Sequence, residues 1–152
     1  MTELSAQMQR LVDVLLGTWS ITEHVPGAAI PRTGEETWHV GPGGAIIEEY
    51  RSAGESGEFH GYGVIWWDDE AKGFQALWCD SSSGCRLLTE LGRWDGDRFV
   101  LGDARDIDGK KDIFRETFSD FRPTSFTQTL ETGPSRDKLT TVLTIRATRI
   151  GP

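Results

Sequence analysis

The sequence predicts an all-β protein, folded as a closed antiparallel up-and-down barrel of about ten strands with a single amino-terminal α-helix. Three observations lead to this fold class. From Thr18 to Arg149 apolar and polar residues alternate with a period of two, which is typical of half-buried strands. Turn-forming residues interrupt the alternation, and most of the connections they form are too short for a parallel crossover, so neighbouring strands are predicted to be antiparallel. The 18 glycines and 6 tryptophans suit tight turns around a core of large rings.

A single domain over residues 1–152 is expected, because the chain has the length of one ordinary domain. Its formal charge of −8 would repel phosphate backbones and anionic lipid, so neither nucleic acid nor a membrane is expected as a partner. The amino terminus has no basic region followed by an apolar core, and we therefore expect a cytoplasmic protein.

The first element is predicted to be an amphipathic helix over about residues 3–16. Its apolar residues recur at helical spacing, and Thr2 and Gly17 are the expected cap and stop signals. The polar face lacks the Lys and Arg cluster of a membrane-surface helix. The apolar stripe is therefore predicted to pack against the barrel, which occupies about residues 18–149.

The period-two segments divide into ten predicted strands, separated by turns rich in Gly, Asp and Pro. Closing them into a barrel would remove the two exposed edges of an open sheet. A barrel of this strand number is wide enough to hold an interior cavity. The predicted strands are Thr18–Val25, Glu35–Val40, Ala45–Ser52, Phe59–Asp68, Gly73–Asp80, Cys85–Gly92, Arg98–Gly102, Asp112–Ser119, Ser125–Glu131 and Lys138–Thr148.

Several short motifs, the last of which ends at Ser81, carry a family resemblance. The Gly17-Thr18-Trp19 opening resembles the Gly-x-Trp start of the calycins, the lipocalin-like and fatty-acid-binding-like barrels. From Leu16 through Trp78-Cys79-Asp80-Ser81 the chain further resembles a bacterial family of lipocalin-like proteins of unknown function, with its Leu-x-Gly-x-Trp start, Gly-x-Gly segment and Trp-x-Asp-Ser segment. The resemblance implies a closed antiparallel barrel with an internal pocket, and it implies no established reaction.

In calycins an arginine or lysine of the last strand packs across the motif tryptophan, and this chain offers Arg146 and Arg149. Alternation places Arg149 on the more apolar face of its strand, which is predicted to point inward. Arg149 is therefore the predicted partner of Trp19, where a guanidinium over indole contributes about 0.5–2 kcal/mol. Gly17, Trp19 and Arg149 together are predicted to close one end of the barrel, a structural role.

Aromatic and ionisable residues concentrate in the second to fifth predicted strands, and this region is the predicted ligand site. In the fourth strand a face with His60, Tyr62 and Trp66 alternates with a face that contains two glycines, and which of them points inward stays open. If the first face points inward, the pocket is lined by rings that carry a few polar groups, which is the usual composition of a small-molecule site. Arg115 is either solvated or, if inward, paired with a carboxylate or an anionic ligand. The candidate ligand-binding residues are Trp38, Tyr50, His60, Tyr62, Trp66, Trp78 and Arg115.

No catalytic residue is assigned, because the sequence contains no nucleophile elbow, zinc-protease motif or phosphate-binding loop. A histidine and a carboxylate that converge inside a barrel could still do acid–base chemistry. His60 with Glu48 or Asp80 is therefore the enzymatic alternative. Glu48 and its neighbour Glu49 are otherwise expected to be solvated charges.

No cofactor and no metal are expected. Fatty-acid-binding-like barrels hold a carboxylate with an Arg-x-Tyr in the last strand, but the corresponding run here is Arg146-Ala147-Thr148. Haem-binding barrels of the superfamily use a histidine late in the chain, whereas all three histidines here precede the midpoint. Cys79 and Cys85 have no second pair of metal ligands nearby and are predicted to be reduced structural thiols.

The leading functional hypothesis is a cytoplasmic binding protein whose interior holds a small, largely apolar molecule. An enzyme acting on a small hydrophobic substrate through His60 is the second hypothesis. A structural or dimerisation module is the third, since exposed rings on the outer wall would favour a symmetric homodimer.

Overall fold

The computed structural model describes residues 3–152, in which one α-helix precedes eleven antiparallel strands. The helix α1 is Ala6–Leu15, and a short 3-10 helix, Pro42–Gly44, connects the second and third strands. The strands are β1 Gly17–His24, β2 Arg32–Val40, β3 Ile46–Gly54, β4 Gly57–Asp68, β5 Gly73–Asp80, β6 Gly84–Leu87, β7 Arg93–Asp95, β8 Arg98–Ile107, β9 Lys110–Arg122, β10 Ser125–Gly133 and β11 Thr140–Gly151.

The strands form a single curled sheet in the order β6-β5-β4-β3-β2-β1-β11-β10-β9-β8-β7. The all-β, antiparallel class is therefore confirmed. The prediction of a closed barrel was wrong, because β6 and β7 lie at the two edges and do not pair with each other within residues 3–152, so the sheet is an open half-barrel. The strand number is eleven rather than about ten, and the additional strand is the three-residue β7.

The segment between β6 and β7 explains why the sheet stays open. Phe74 of β5 and Gly92 exchange two backbone hydrogen bonds of 3.0 and 2.7 Å, and the Leu88 N–H donates to the Ala76 carbonyl at 2.9 Å. On its other side the Glu90 N–H donates to the Gly102 carbonyl of β8 at 3.4 Å. The irregular segment between β6 and β7 thus takes up backbone groups of β5 and β8 that a closing strand would use. It makes too few hydrogen bonds to form a continuous ladder between those two strands.

The helix α1 covers one end of the half-barrel, where β1 begins and β11 ends. It begins after Ser5, whose Oγ accepts a hydrogen bond from the Met8 N–H at 3.2 Å. Thr2, the predicted cap, lies outside the described residues. The guanidinium of Arg10 donates to the Gly96 carbonyl in the β7–β8 turn at 2.6 Å and lies 3.8 Å from the Trp94 ring centroid. The helix buries its apolar stripe, which consists of Met8, Leu11, Val12 and Leu15.

The core at this end is built around Trp19, which is fully buried. Its Nε1 donates to the Leu15 carbonyl at 2.8 Å, and its ring meets the Phe126 edge with centroids 4.6 Å apart. Gly17 has φ of +129°, and a Cβ there would lie 2.3 Å from Arg149 Nη1. A glycine is therefore required where the helix turns into β1, both by its conformation and by the guanidinium beside it.

Cys79 and Cys85 are directly opposed on β5 and β6 and form a disulfide bond. The prediction of two reduced thiols was wrong, because the β5–β6 hairpin places the two side chains on the same face at paired positions. Among the described residues, no helix combines the length and the apolarity that crossing a membrane requires.

Candidate functional site: a cavity inside the curled sheet

A cavity of about 570 Å³ lies on the concave side of the sheet. It opens at the end opposite α1, since its lining includes Ser56 of the β3–β4 turn and Ser82 and Ser83 of the β5–β6 turn. Its volume falls within the usual range for small-molecule pockets. The aliphatic part of the wall comes from both halves of the sheet and includes Ile65, Leu88, Leu101, Leu130, Leu143 and Ile145.

Aromatic rings form the wall near the mouth of the cavity. Tyr50 packs edge-to-face against Phe59 and Trp78, with ring centroids 6.0 and 6.3 Å away. The Trp78 indole lies against Gly61, where an added Cβ would come within 2.2 Å of the ring, and close to Gly63. The two glycines of β4 therefore make room for a ring that lines the cavity. Trp78 Nε1 donates a hydrogen bond to Asp80 Oδ2 at 2.8 Å, which holds the indole in this position.

Tyr50 also begins a polar chain at the mouth. Its hydroxyl donates to Glu23 Oε1 at 2.9 Å, and burial raises the pKa of Tyr50, so the hydroxyl keeps its proton. Glu23 Oε2 lies 3.7 Å from the Arg32 guanidinium, which also donates to the Gly57 carbonyl at 3.1 Å. The buried Glu23 carboxylate is thus compensated by a hydroxyl and a cation.

Asp103 is a second buried carboxylate that has partners. Arg86 Nε donates to its Oδ2 at 2.8 Å, while the Thr89 N–H and hydroxyl donate to its Oδ1 at 3.1 and 3.0 Å. Burial alone would raise the pKa of Asp103, but these hydrogen bonds outweigh it and hold the pKa below its usual range. Arg86 and Asp103 therefore form an ionised pair at the rim of the cavity. Arg105 Nε lies 3.9 Å from the Oδ2 of the same aspartate.

Glu48 and Glu36 differ from these compensated groups. Glu48 is 6% exposed and lines the cavity, and Glu36 lies fully buried behind it on β2. Within residues 3–152 neither carboxyl pairs with a cation, and their polar neighbours are each other and, beside Glu36, the Trp38 indole N–H. Burial raises the pKa of Glu36 to about 8 and that of Glu48 well above its usual value. The two carboxyls titrate together, because a protonated carboxyl can donate to its neighbour.

Glu116 on β9 faces the same space from the opposite wall. Gln128 Nε2 on β10 donates to Glu116 Oε2 at 3.3 Å, while the Gln128 Oε1 atom is buried without a partner in the described part of the chain. Glu116 keeps some exposure toward the cavity but is surrounded by protein, and burial raises its pKa to about 7 despite the Gln128 hydrogen bond. Acidic groups that prefer to be neutral thus lie on two walls of the cavity.

The structure separates the seven sequence-predicted ligand residues into three groups. Tyr50 and Trp78 line the cavity. Trp38 is buried below it, against the Phe118 ring at a centroid distance of 5.9 Å. The other four are on the convex face, because their strands turn the opposite set of side chains inward: His60, Tyr62, Trp66 and Arg115.

The convex-face residues have other neighbours. Arg115 Nη2 pairs with Glu131 at 3.0 Å, and His60 Nε2 lies 3.6 Å from the exposed Glu58. His60 and Tyr62 line a shallow depression on the outer surface. His24 and His39 are exposed as well, so the three histidines of the chain lie away from the interior carboxylates.

Sequence reasoning missed the interior role of Glu48 and did not consider Glu36 or Glu116. The expectation that Glu48 and Glu49 are both solvated was wrong for Glu48, since only Glu49 is exposed. A signal was present, because Glu48 alternates with Ile46 and Tyr50 and so shares their inward face. The usual exclusion of carboxylates from cores outweighed this pattern.

The described residues contain no group of three or more His, Cys, Asp or Glu side chains that could hold a metal ion. Comparison with known proteins assigns no family, since no family model matches the chain and no curated protein matches it significantly.

Proposed function

We propose that this protein is a lipocalin-like binding protein of the calycin type, which holds a small molecule in the cavity on the concave side of its sheet. The observation that carries the proposal is the cavity of about 570 Å³, enclosed by aromatic and aliphatic side chains from both halves of the sheet. Cavities of this size, mostly apolar with a few placed polar groups, are how proteins bind drug-sized ligands.

Two further features support binding over catalysis. The carboxylates inside the sheet have no histidine beside them, so the pair required by the His60 hypothesis is not assembled in the interior. The packing of Arg149 on Trp19 at the opposite end, with Cζ 4.2 Å from the ring centroid, resembles the calycin arrangement and supports that membership.

The direct test is native mass spectrometry of the purified protein, followed by a ligand screen read by quenching of tryptophan fluorescence. Trp78 lines the cavity, so its emission should respond to occupancy. We expect either a copurifying small molecule or saturable quenching with a stoichiometry of one.

A matched pair of variants locates the binding. Leu143 faces the cavity from β11, and the adjacent Val142 is exposed on the convex face. Leu143→Trp should fill part of the cavity and weaken binding by at least about tenfold, whereas Val142→Trp should leave it unchanged. Thermal melts of both variants check that the fold is kept. Equal loss in the two variants, or binding that Leu143→Trp leaves intact, would refute binding in this cavity.

A further inference from the structure

The uncompensated carboxyls at the inner end of the cavity set it apart from a purely apolar container. Glu48 projects into the cavity at 6% exposure, and the described chain supplies it with no cation, only a second carboxyl, Glu36, with which it can share a proton. Glu36 behind it has both oxygens buried, with only Glu48 and the Trp38 indole N–H as polar neighbours, and the buried Gln128 Oε1 beside Glu116 has no partner in residues 3–152. Buried polar groups normally have partners, so this end of the cavity has the properties of a site that a ligand completes.

We propose that Glu48 and Glu116 bind the protonated amine of a small ligand whose apolar body occupies the ring-lined part of the cavity. The inference rests on the proposed function and adds to it the chemical class of the ligand. An ammonium supplies N–H donors in three directions and a positive charge, which are the two properties that these carboxyls lack.

The surrounding charges favour a cation at this position. The acidic groups facing Glu48 are Glu36 on β2 and Glu116 on β9, and no arginine or lysine is paired with any of the three in residues 3–152. The three arginines of the lining stand nearer the mouth and are engaged by other carboxylates: Arg32 by Glu23, Arg86 by Asp103, and Arg105 by Asp103 and Asp112. The formal net charge of −8 would also draw a cation toward the opening.

Binding of an amine should release protons from the interior carboxyls, whereas binding of a neutral ligand should not. Burial raises the pKa of Glu116 to about 7 and that of Glu36 to about 8, so near neutral pH this group of carboxyls carries protons. A bound ammonium stabilises the carboxylate form, and the displaced proton leaves to solvent while the amine keeps its own proton. Binding of an amine near pH 7 should therefore release up to about one proton for each ligand.

Three probes of the same size and shape separate charge from apolar burial: phenethylamine, phenethyl alcohol and hydrocinnamate. Isothermal titration calorimetry in two buffers of different ionisation enthalpy measures both affinity and proton release. We expect phenethylamine to bind at least about tenfold more tightly than the alcohol, and the carboxylate to bind more weakly than either. Proton release should accompany the amine alone.

A matched pair of variants on β3 assigns the effect to Glu48. Glu48→Gln keeps the shape but removes the charge, whereas Glu49→Gln removes a charge from the exposed face of the same strand. Glu48→Gln should lower phenethylamine affinity at least about tenfold and leave phenethyl alcohol unchanged, and Glu49→Gln should change neither. The wild-type calorimetry needs no variant, so a folding defect in one of them would not block the test.

The outcomes separate this inference from the function on which it rests. If the amine and the alcohol bind equally, both sensitive to Leu143→Trp and without proton release, the cavity is a binding site and the amine site is refuted. If amine binding survives Glu48→Gln but is lost in Glu49→Gln, the amine binds outside the cavity and the inference fails. If none of the three probes binds, the inference fails too, and the wider screen decides the proposed function separately.

Discussion

Arg149 lies over the indole of Trp19, with its Cζ 4.2 Å from the ring centroid, and it ties together three segments of the chain. Its Nη1 donates to the Leu16 carbonyl at 2.7 Å and its Nε to the Pro123 carbonyl at 3.0 Å. One side chain of the last strand therefore satisfies a carbonyl at the end of α1 and one in the β9–β10 turn. This arrangement makes Arg149 a structural centre at the closed end of the half-barrel.

Replacing Arg149 should destabilise the protein. Arg149→Ala removes the contact with the ring and leaves two carbonyls without their donors, and we expect a loss of about 2 kcal/mol in the free energy of unfolding. Urea denaturation followed by fluorescence measures it. Arg146→Ala is the control, because Arg146 on the same strand is exposed. Similar losses in both variants would show that the contact with Trp19 contributes little.

Gly61 should tolerate no side chain, because of Trp78. A Cβ at this position would lie 2.2 Å from the Trp78 ring, so Gly61→Ala forces the indole out of its place in the cavity wall. Overpacking of this kind costs about 1–3 kcal/mol. Gly151→Ala is the control, since its Cβ would meet nothing nearer than 3.8 Å. Chemical denaturation and the near-UV circular dichroism of the tryptophans measure the effect, and a Gly61→Ala variant as stable as Gly151→Ala would contradict the close packing.

Much of the fold follows from local pattern. The stripe of α1 and the period of two after Gly17 predict the helix and ten of the eleven strands, because both depend on residues close in sequence. The choice of Arg149 over Arg146 rests on the same alternation. β7 is too short to show a period, and the open seam depends on how the chain between Leu88 and Gly92 meets two distant strands.

The site was harder to predict, because alternation divides a strand into two faces without saying which one is buried. In β4 the inward face is the one with the glycines, and this follows from the Trp78 ring of β5, a contact between strands. His60 and Tyr62 are consequently outside. Glu48 is inside because alternation along β3 places it on the same inward face as the buried Ile46 and Tyr50, although burial of a carboxylate is unfavourable.

Asp80 should hold the β5–β6 turn in place beside the cavity mouth. Its Oδ1 accepts hydrogen bonds from the Ser82 and Ser83 N–H groups at 2.8 and 2.7 Å, and its Oδ2 accepts from Trp78. Asp80→Ala should cost about 1–2 kcal/mol and free the Trp78 indole, as seen by urea denaturation and fluorescence. Ser82→Ala keeps the backbone donors and is the control.

The pH dependence of that contribution has a definite sign. Burial would raise the pKa of Asp80, but its hydrogen bonds outweigh burial and lower it. The stabilisation is therefore present above the ordinary pKa of an aspartate and is lost as the pH falls through the lowered value. The difference in stability between wild type and Asp80→Ala should shrink in acid, and a difference that grows in acid would contradict this account.

The interior carboxyls predict the opposite trend at higher pH. The pKa values of Glu36, Glu48 and Glu116 are raised in the folded protein, so their favourable contribution is complete below the unfolded value and is lost as the pH rises through the folded values. Without ligand, the protein should lose on the order of a few kcal/mol of stability between about pH 5 and pH 8.5, because a tenfold change in a group's proton affinity on folding corresponds to about 1.4 kcal/mol. Thermal melts across this range should show a fall of several degrees in Tm.

Glu48→Gln isolates the cause of that fall. Removing one of the mutually repelling carboxyls should raise Tm at about pH 8.5 and flatten the profile, while leaving Tm near pH 5 less changed, because burial raises the pKa of Glu48 and so favours its neutral form in acid. Glu49→Gln, on the exposed face of β3, should reproduce the wild-type slope. An amine bound in the cavity should act like the substitution, since it compensates the same charge, and should raise Tm most at the alkaline end. A profile that rises with pH in the wild type, or one that Glu48→Gln leaves unaltered, would mean that these carboxyls are solvated and not buried.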